Sequence, residues 1–293
     1  MKFIDIFYRS DDGLRLYARD YPSPHLNSRV LLCLPGLTRN SKDFNDLAER
    51  LCNRYRVICP DQRGRGRSER DIDPTRYRPD RYAADMLTLL DTLDVEQVTV
   101  IGTSLGGMMG IMLMVANPKR IDALVVNDMG PVIEPAGIAR LISYVGKMKP
   151  ADSWDEAVAQ TALVNGIAFP AYGHDEWAAM ARNMYVMEGR QPVLDYDPAI
   201  ASGLGSGTAT PDLWPLFDLL PPQPMLVVRG EISDILSVAT MAAMEKRRAN
   251  LQTVTVPGVG HAPMLNEAAA ITAIEDFLAG LESRNQASGE VAK

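Results

Sequence analysis

The chain has 293 residues, 46% of them hydrophobic and 23% charged, enough to bury the core of one large domain or of a domain with an insertion. A formal net charge of −7 argues against a general affinity for nucleic acid. No apolar run reaches the length of a membrane span and the start, Met-Lys-Phe-Ile-Asp-Ile, has no leader pattern, so no membrane partner and a cytoplasmic location are expected.

Residues 3–9 and 14–20 read as two strands around the turn Ser10-Asp11-Asp12-Gly13. Val30 to Leu34 is a continuous apolar run, predicting a strand covered on both faces, and it ends at Pro35-Gly36-Leu37-Thr38. A helix is predicted over 42–54, with Phe44, Leu47, Leu51 and Cys52 on one side. Arg56 to Pro60 is the next strand and leads into Asp61-Gln62-Arg63-Gly64-Arg65-Gly66-Arg67-Ser68; a helix over 79–94 follows. Strands alternating with helices indicate a mainly parallel sheet. Cys33, Cys52 and Cys59 lack metal-ligand spacing, and the two in strands read as reduced core thiols. Seven arginines fall between residues 63 and 81. They could form a basic rim for an acidic substrate, but Glu69, Asp71, Asp73 and Asp80 offset them, and a solvated loop is the expectation.

Val98 to Ile101 is a β-branched run, and from Ser104 onward Leu105, Met108, Met109, Ile111, Met112 and Val115 recur at helical spacing. A serine two residues from glycines on either side, Gly102-Thr103-Ser104-Leu105-Gly106, at a strand-to-helix turn is a nucleophile elbow. Small residues at 102 and 106 let strand and helix approach, while the hydroxyl stands over the sheet at the positive end of a helix. The segment lacks the Gly-x-Gly-x-x-Gly spacing and the phosphate-loop lysine, so nucleotide chemistry is not expected. Nor is a metal or any other cofactor, the three histidines being scattered.

Ala123 to Val126 is another buried strand, ending at Asn127-Asp128-Met129-Gly130-Pro131. From 131 to 207 there is no strong strand pattern, only helical stretches over 135–147, 153–166 and 174–188, rich in tryptophan, tyrosine and methionine. Ala201 to Gly207 suits a linker or hinge. Met225 to Val228 and Leu251 to Val256 are the last strands, a helix closes over 266–281, and residues 283–293 form a small, polar tail expected to be disordered. A serine hydroxyl needs a base. Of His25, His174 and His261, only His261 follows a core strand on a glycine-containing loop, where strands present groups to a ligand.

Five motifs stand in the order and spacing of one family: Leu34-Pro35-Gly36-Leu37, Asp61-x-Arg63-Gly64-x-Gly66-x-Ser68, Gly102 to Gly107, Arg229-Gly230-x-x-Ser233-Asp234 and Gly260-His261-Ala262-Pro263. Over residues 3–282 the chain resembles the α/β-hydrolase fold family, and within it bacterial esterases and enol-lactonases with a small helical cap. The resemblance implies an α/β class with a mostly parallel eight-stranded sheet, helices on both faces and an inserted helical cap. The core would comprise 1–130 and 208–282, with the cap at 131–207 and the tail at 283–293. It implies a triad of Ser104, Asp234 and His261, in the chain order of the family. Asp128 is the alternative acid, because some members place it after the earlier strand; Glu231 reads as a surface contact. The amides of Leu37 and Leu105 would form the oxyanion hole, with Gly36, Gly102 and Gly106 supporting the turns. Pro35 stands where the family usually has a histidine that supports the loop. The activity implied is cofactor-independent hydrolysis of a small carboxylic ester or lactone, in a mostly apolar pocket, by a monomer or homodimer. Carbon–carbon bond hydrolysis of ring-cleavage products and a ligand receptor on the same fold are the alternatives.

Overall fold

Two antiparallel strands, β1 (Ile4–Arg9) and β2 (Arg15–Tyr21), open the chain and turn through Gly13, whose φ of +88° an L side chain rarely adopts. The strands β3 (Val30–Leu34), β4 (Arg56–Asp61), β5 (Val98–Thr103) and β6 (Ile121–Asn127) are buried along almost their whole length. Between them run α1 (Asn45–Leu51), α2 (Pro79–Thr92) and α3 (Leu105–Ala116). Pro79 opens α2, where a missing N–H costs nothing. Helix α3 is apolar on nearly every side because it lies against the centre of the sheet with α2 packed over it. The computed structural model describes residues 3–204 and 212–291, with the backbone alone for Leu204 and 284–291.

The insertion after β6 holds α4 (Pro135–Tyr144), α5 (Trp154–Asn165) and α6 (His174–Met184). Ser153 starts α5 by accepting a bond from Glu156 N at 3.1 Å. The third helix stops at Met184, short of the residue 188 expected. Tyr185–Glu188 instead forms β7, which pairs antiparallel with β8 (Gln191–Leu194) across a two-residue turn with Gly189 at φ +62°. Tyr-Val-Met favours a strand over the end of a helix once a glycine turn supplies a partner, and that turn is the signal the helical reading passed over. Trp177 and Met180 are core residues; Tyr172 packs between Phe169 at 4.6 Å and Trp177 at 5.1 Å, ring centre to ring centre. Part of the expected hinge is fastened, Ser202 Oγ donating to Pro74 O at 2.9 Å; its residues 205–207 lie outside the described residues.

The chain returns through α7 (Trp214–Asp218), β9 (Met225–Gly230), α8 (Val238–Arg247), β10 (Leu251–Val256) and α9 (Ala268–Val291). The backbone of α9 thus runs past residue 282, where the core was expected to end, and residues 292–293 lie outside the described residues. The eight strands form one sheet in the order β1-β2-β4-β3-β5-β6-β9-β10. Strand β2 runs opposite to the other seven. One face is covered by α1 and α9 through Leu47, Leu51, Phe277 and Leu278. The other is covered by α2, α3, α7 and α8 through Met86, Met109, Phe217 and Met244. Each such buried side chain contributes ~1.5–3 kcal/mol. Because β3, β5, β6, β9 and β10 are parallel, the loops carrying Pro35, Ser104, Asp128, Ser233 and His261 all emerge at one sheet edge, where open α/β sheets bind ligands. No helix among the described residues is long and apolar enough to cross a membrane.

Candidate active site

At the turn from β5 into α3, Ser104 takes φ +52° and ψ −114°, a conformation that an L residue holds only when its surroundings enforce it. The two glycines of the elbow do what the sequence assigns them. A Cβ at Gly102 would stand 2.3 Å from Gly106 O, and one at Gly106 would stand 2.0 Å from Leu34 O. Gly36 differs: a Cβ there would meet nothing closer than 3.7 Å, so close approach does not require glycine at that position. Ser104 N donates to Asn127 O at 2.9 Å, tying the elbow to β6. The buried Asn127 amide donates to Thr103 Oγ1 at 3.1 Å and to Pro263 O at 2.7 Å, and so joins the elbow to the loop of His261.

His261 Nε2 lies 2.9 Å from Ser104 Oγ, and its Nδ1 lies 2.9 Å from Asp128 Oδ2. A carboxylate only accepts, so Nδ1 carries the proton and Nε2 is left to accept from the serine hydroxyl. The Asp128 side chain is fully buried and takes two further hydrogen bonds, from Gly230 N at 2.8 Å and Ser233 Oγ at 2.6 Å. Three donors thus fix a charge that would otherwise be costly to bury.

The acid expected at Asp234 is therefore corrected: the group that meets His261 is Asp128. Asp128 directly follows β6, the neighbour of β5, and its φ of +56° turns the chain sharply at the sheet edge. Asp234 lies four residues beyond β9, where Arg140 of α4 holds it in a fork of 2.6 and 2.9 Å. Burial alone would raise the Asp234 pKa, but the Arg140 hydrogen bond and charge, and the charge of His261, bring it below the usual carboxylate value. Asp234 fastens the insertion to the core, aided by the bond from Glu134 N to Ile235 O at 3.0 Å. Glu231 accepts from Gly258 N at 2.7 Å, away from the histidine.

The loop after β3 is pinned by its carbonyls. Gln62 Nε2 donates to Pro35 O at 3.1 Å, and Arg65 Nε donates to Leu37 O at 2.9 Å. Arg65 is fully buried, its guanidinium 4.7 Å from the Tyr82 ring centre and hydrogen-bonded to Tyr82 Oη at 2.9 Å. These two side chains support the loop that begins with Pro35. The amides of Leu37 and Leu105 donate to nothing among the described residues, and Leu105 opens α3, where an N–H has no intrahelical acceptor. Sequence reading did not single out Gln62 or Arg65; their place in the motif after β4 was the available signal.

The arginines of 63–81 form neither a substrate rim nor a freely solvated loop. Arg63 is fully buried and bridges Asp85, Asp71 and Asp12, at 2.7, 2.6 and 3.0 Å. Arg67, Arg70, Arg76, Arg78 and Arg81 each pair with a carboxylate. Asp11, Asp12 and Asp85 could meet around a cation, but Arg63 and Arg81 already engage them. His25 and His174 lie elsewhere, His174 at the start of α6. Cys33, Cys52 and Cys59 are buried and form no disulfide among the described residues.

A cavity of about 90 Å³ opens between Ser104, His261 and the insertion. Leu141, Tyr144, Val164, Phe169 and Met184 supply its apolar wall, so Tyr144 and Met184 reach the site while most aromatics and methionines of the insertion pack elsewhere. Thr38, Arg39, Asp43 and Asn165 make the remaining wall more polar than expected.

The family model for the alpha/beta hydrolase fold matches residues 29–268. The 3-hydroxybutyrate-oligomer hydrolase of Cupriavidus necator is 36% identical over 87% of this chain and 89% of its own. The 2-(acetamidomethylene)succinate hydrolase of Mesorhizobium japonicum is 30% identical over 79% of this chain and 81% of its own. The crystal structure of an alpha/beta hydrolase from Novosphingobium aromaticivorans is 41% identical and superposes with a TM-score of 0.89 over 95% of this chain and 99% of that one. With the eight-stranded sheet, the elbow and these matches in hand, the chain is a hydrolase of the α/β-hydrolase fold family.

Proposed function

We propose that the protein is a serine hydrolase of carboxylic esters, and that the continuous chain Ser104 Oγ, His261, Asp128 is its catalytic machinery; those two 2.9 Å contacts carry the reading. Ser104 Oγ attacks the ester carbonyl while His261 Nε2 takes its proton. The carbonyl oxygen becomes an oxyanion and is met by the amide of Leu105 at the start of α3 and by that of Leu37, whose loop is held by the bonds to the Pro35 and Leu37 carbonyls. Collapse of the tetrahedral intermediate expels the alcohol, protonated by His261, and leaves an acyl group on Ser104. Water, deprotonated by the same nitrogen, then releases the acid and restores the serine. Asp128 keeps the imidazole in the required tautomer and stabilises its charged form.

The described insertion after β6, with α4, α5 and α6, acts as the cap over the acyl site. The matched relatives support a substrate that is itself an acid, since one is named for a 3-hydroxybutyrate oligomer and the other for a substituted succinate. A short linear ester of a hydroxy acid fits that support. The test is turnover of linear 3-hydroxybutyrate dimer, with nitrophenyl butyrate and a small lactone panel alongside. Wild type should release product and Ser104→Ala should release none above background. Undiminished turnover by Ser104→Ala would end this reading.

A further inference from the structure

One charged side chain in the cavity has no part in the hydrolytic steps. Arg39 lines it together with Ser104 and His261. A Cβ at Gly36 would lie 3.7 Å from Arg39 Cγ and 3.9 Å from Ser104 Cβ, so the two side chains flank one point of the backbone. Asp43, one helical turn on, engages Arg39 Nε and Nη2, the latter at 2.9 Å from Oδ1. Nη1 has no acceptor among the described residues and is not fully enclosed. The side chain retains only 13% exposure. A guanidinium held in a fork has little orientational freedom left to lose, and its free edge suits a carboxylate.

Arg140 is held by Asp234 at 2.6 Å and Lys42 by Asp195 at 2.8 Å, and none of the arginines of 63–81 lines the cavity. Among the described residues that line the cavity, Arg39 is the one arginine or lysine, and its Nη1 is the donor left unused.

We propose that Arg39 is the specificity-determining residue of this site and receives, at Nη1, a free carboxylate carried by the ester substrate. The proposal rests on the ester-hydrolase reading and goes further, assigning acid recognition to one side chain. Asp43 balances the charge of Arg39, so discrimination comes from charge-assisted hydrogen bonds at the open edge and not from net attraction. Such a contact is worth about tenfold or more in affinity.

The test compares two substrates with the same scissile bond: the linear 3-hydroxybutyrate dimer as the free acid and as its terminal primary amide. Wild type should favour the acid in kcat/KM by at least about tenfold. Arg39→Gln should erase most of that preference, chiefly through KM for the acid, and Arg39→Lys should keep part of it. Equal treatment of acid and amide by wild type, or an acid preference that survives in Arg39→Gln, would overturn the proposal. Calorimetric binding of both compounds to Ser104→Ala, with and without Arg39→Gln, reads the contact without turnover. Arg39-dependent binding of the acid in a protein that cleaves neither compound would locate the failure in the hydrolase reading and uphold the assignment of Arg39. Equal binding of acid and amide would overturn it.

Discussion

Replacing Asp128 by asparagine exchanges one carboxylate oxygen for an NH2 group and should nearly silence the enzyme. The carboxylate takes Gly230 N on Oδ1, and both Ser233 Oγ and His261 Nδ1 on Oδ2. An asparagine in the same place keeps its oxygen toward the backbone amide of Gly230, so its NH2 group faces His261. Nδ1 must then accept, the ring proton moves to Nε2, and the nitrogen beside Ser104 can no longer take the hydroxyl proton. The corresponding change in a serine protease triad lowers kcat by about 10,000-fold, which is about 5.5 kcal/mol of barrier. Asp128 is fully buried, so a loss of that order is expected here. Asp234→Asn removes only the ion pair with Arg140, whose side chains are 23% and 16% exposed, and should cost less than about tenfold in kcat. The assay is steady-state hydrolysis of nitrophenyl butyrate by both variants, with circular dichroism to confirm folding. Equal losses, or a greater loss in Asp234→Asn, would refute the assignment.

Three further outcomes follow from the same contacts. Gly102→Ala and Gly106→Ala should each lower stability by ~1–3 kcal/mol or more, since the added methyl meets backbone, whereas Gly36→Ala should melt close to wild type; thermal denaturation separates them. Arg65→Met should lower kcat with little change in KM, because the Leu37 carbonyl loses its buried donor and the oxyanion loop its support, and Arg65→Lys should restore part of the rate; steady-state kinetics reads both. The depressed Asp234 pKa means that the Arg140 pair stabilises the fold fully above the unfolded carboxylate value of about 3.9 and is lost as pH falls through the folded value below it. Hydrogen exchange over α4 should therefore accelerate in that acid range in wild type and be insensitive to it in Asp234→Asn.

The sheet was legible because β3, β6 and β9 each hold four or more consecutive apolar residues and β5 is rich in β-branched ones, and a parallel sheet buried on both faces leaves that pattern. Ser104 and His261 were legible for a related reason: each sits just beyond a strand, in a turn whose glycines mark it. The partner of His261 was harder. Asp128 and Asp234 follow neighbouring strands at the same sheet edge, and residue order cannot say which carboxylate points inward. That choice is made by the bonds from Gly230 N and Ser233 Oγ on one side and by Arg140 on the other, contacts separated by about a hundred residues in the chain. The β7–β8 hairpin was hidden by its length, four residues per strand directly after a helix. Arg39 and Arg65 were obscured because an arginine's sequence context does not reveal whether it lines a cavity, is buried under tyrosines or faces water.

The central claim is that Ser104 becomes covalently acylated because His261 and Asp128 activate it. The direct measurement is mass spectrometry of the protein after treatment with a fluorophosphonate ester, followed by peptide mapping. One phosphonyl group per chain on the peptide containing Ser104 is predicted, with labelling abolished in Ser104→Ala and slowed by orders of magnitude in Asp128→Asn. Labelling at another serine, or full-rate labelling of Asp128→Asn, would contradict the account.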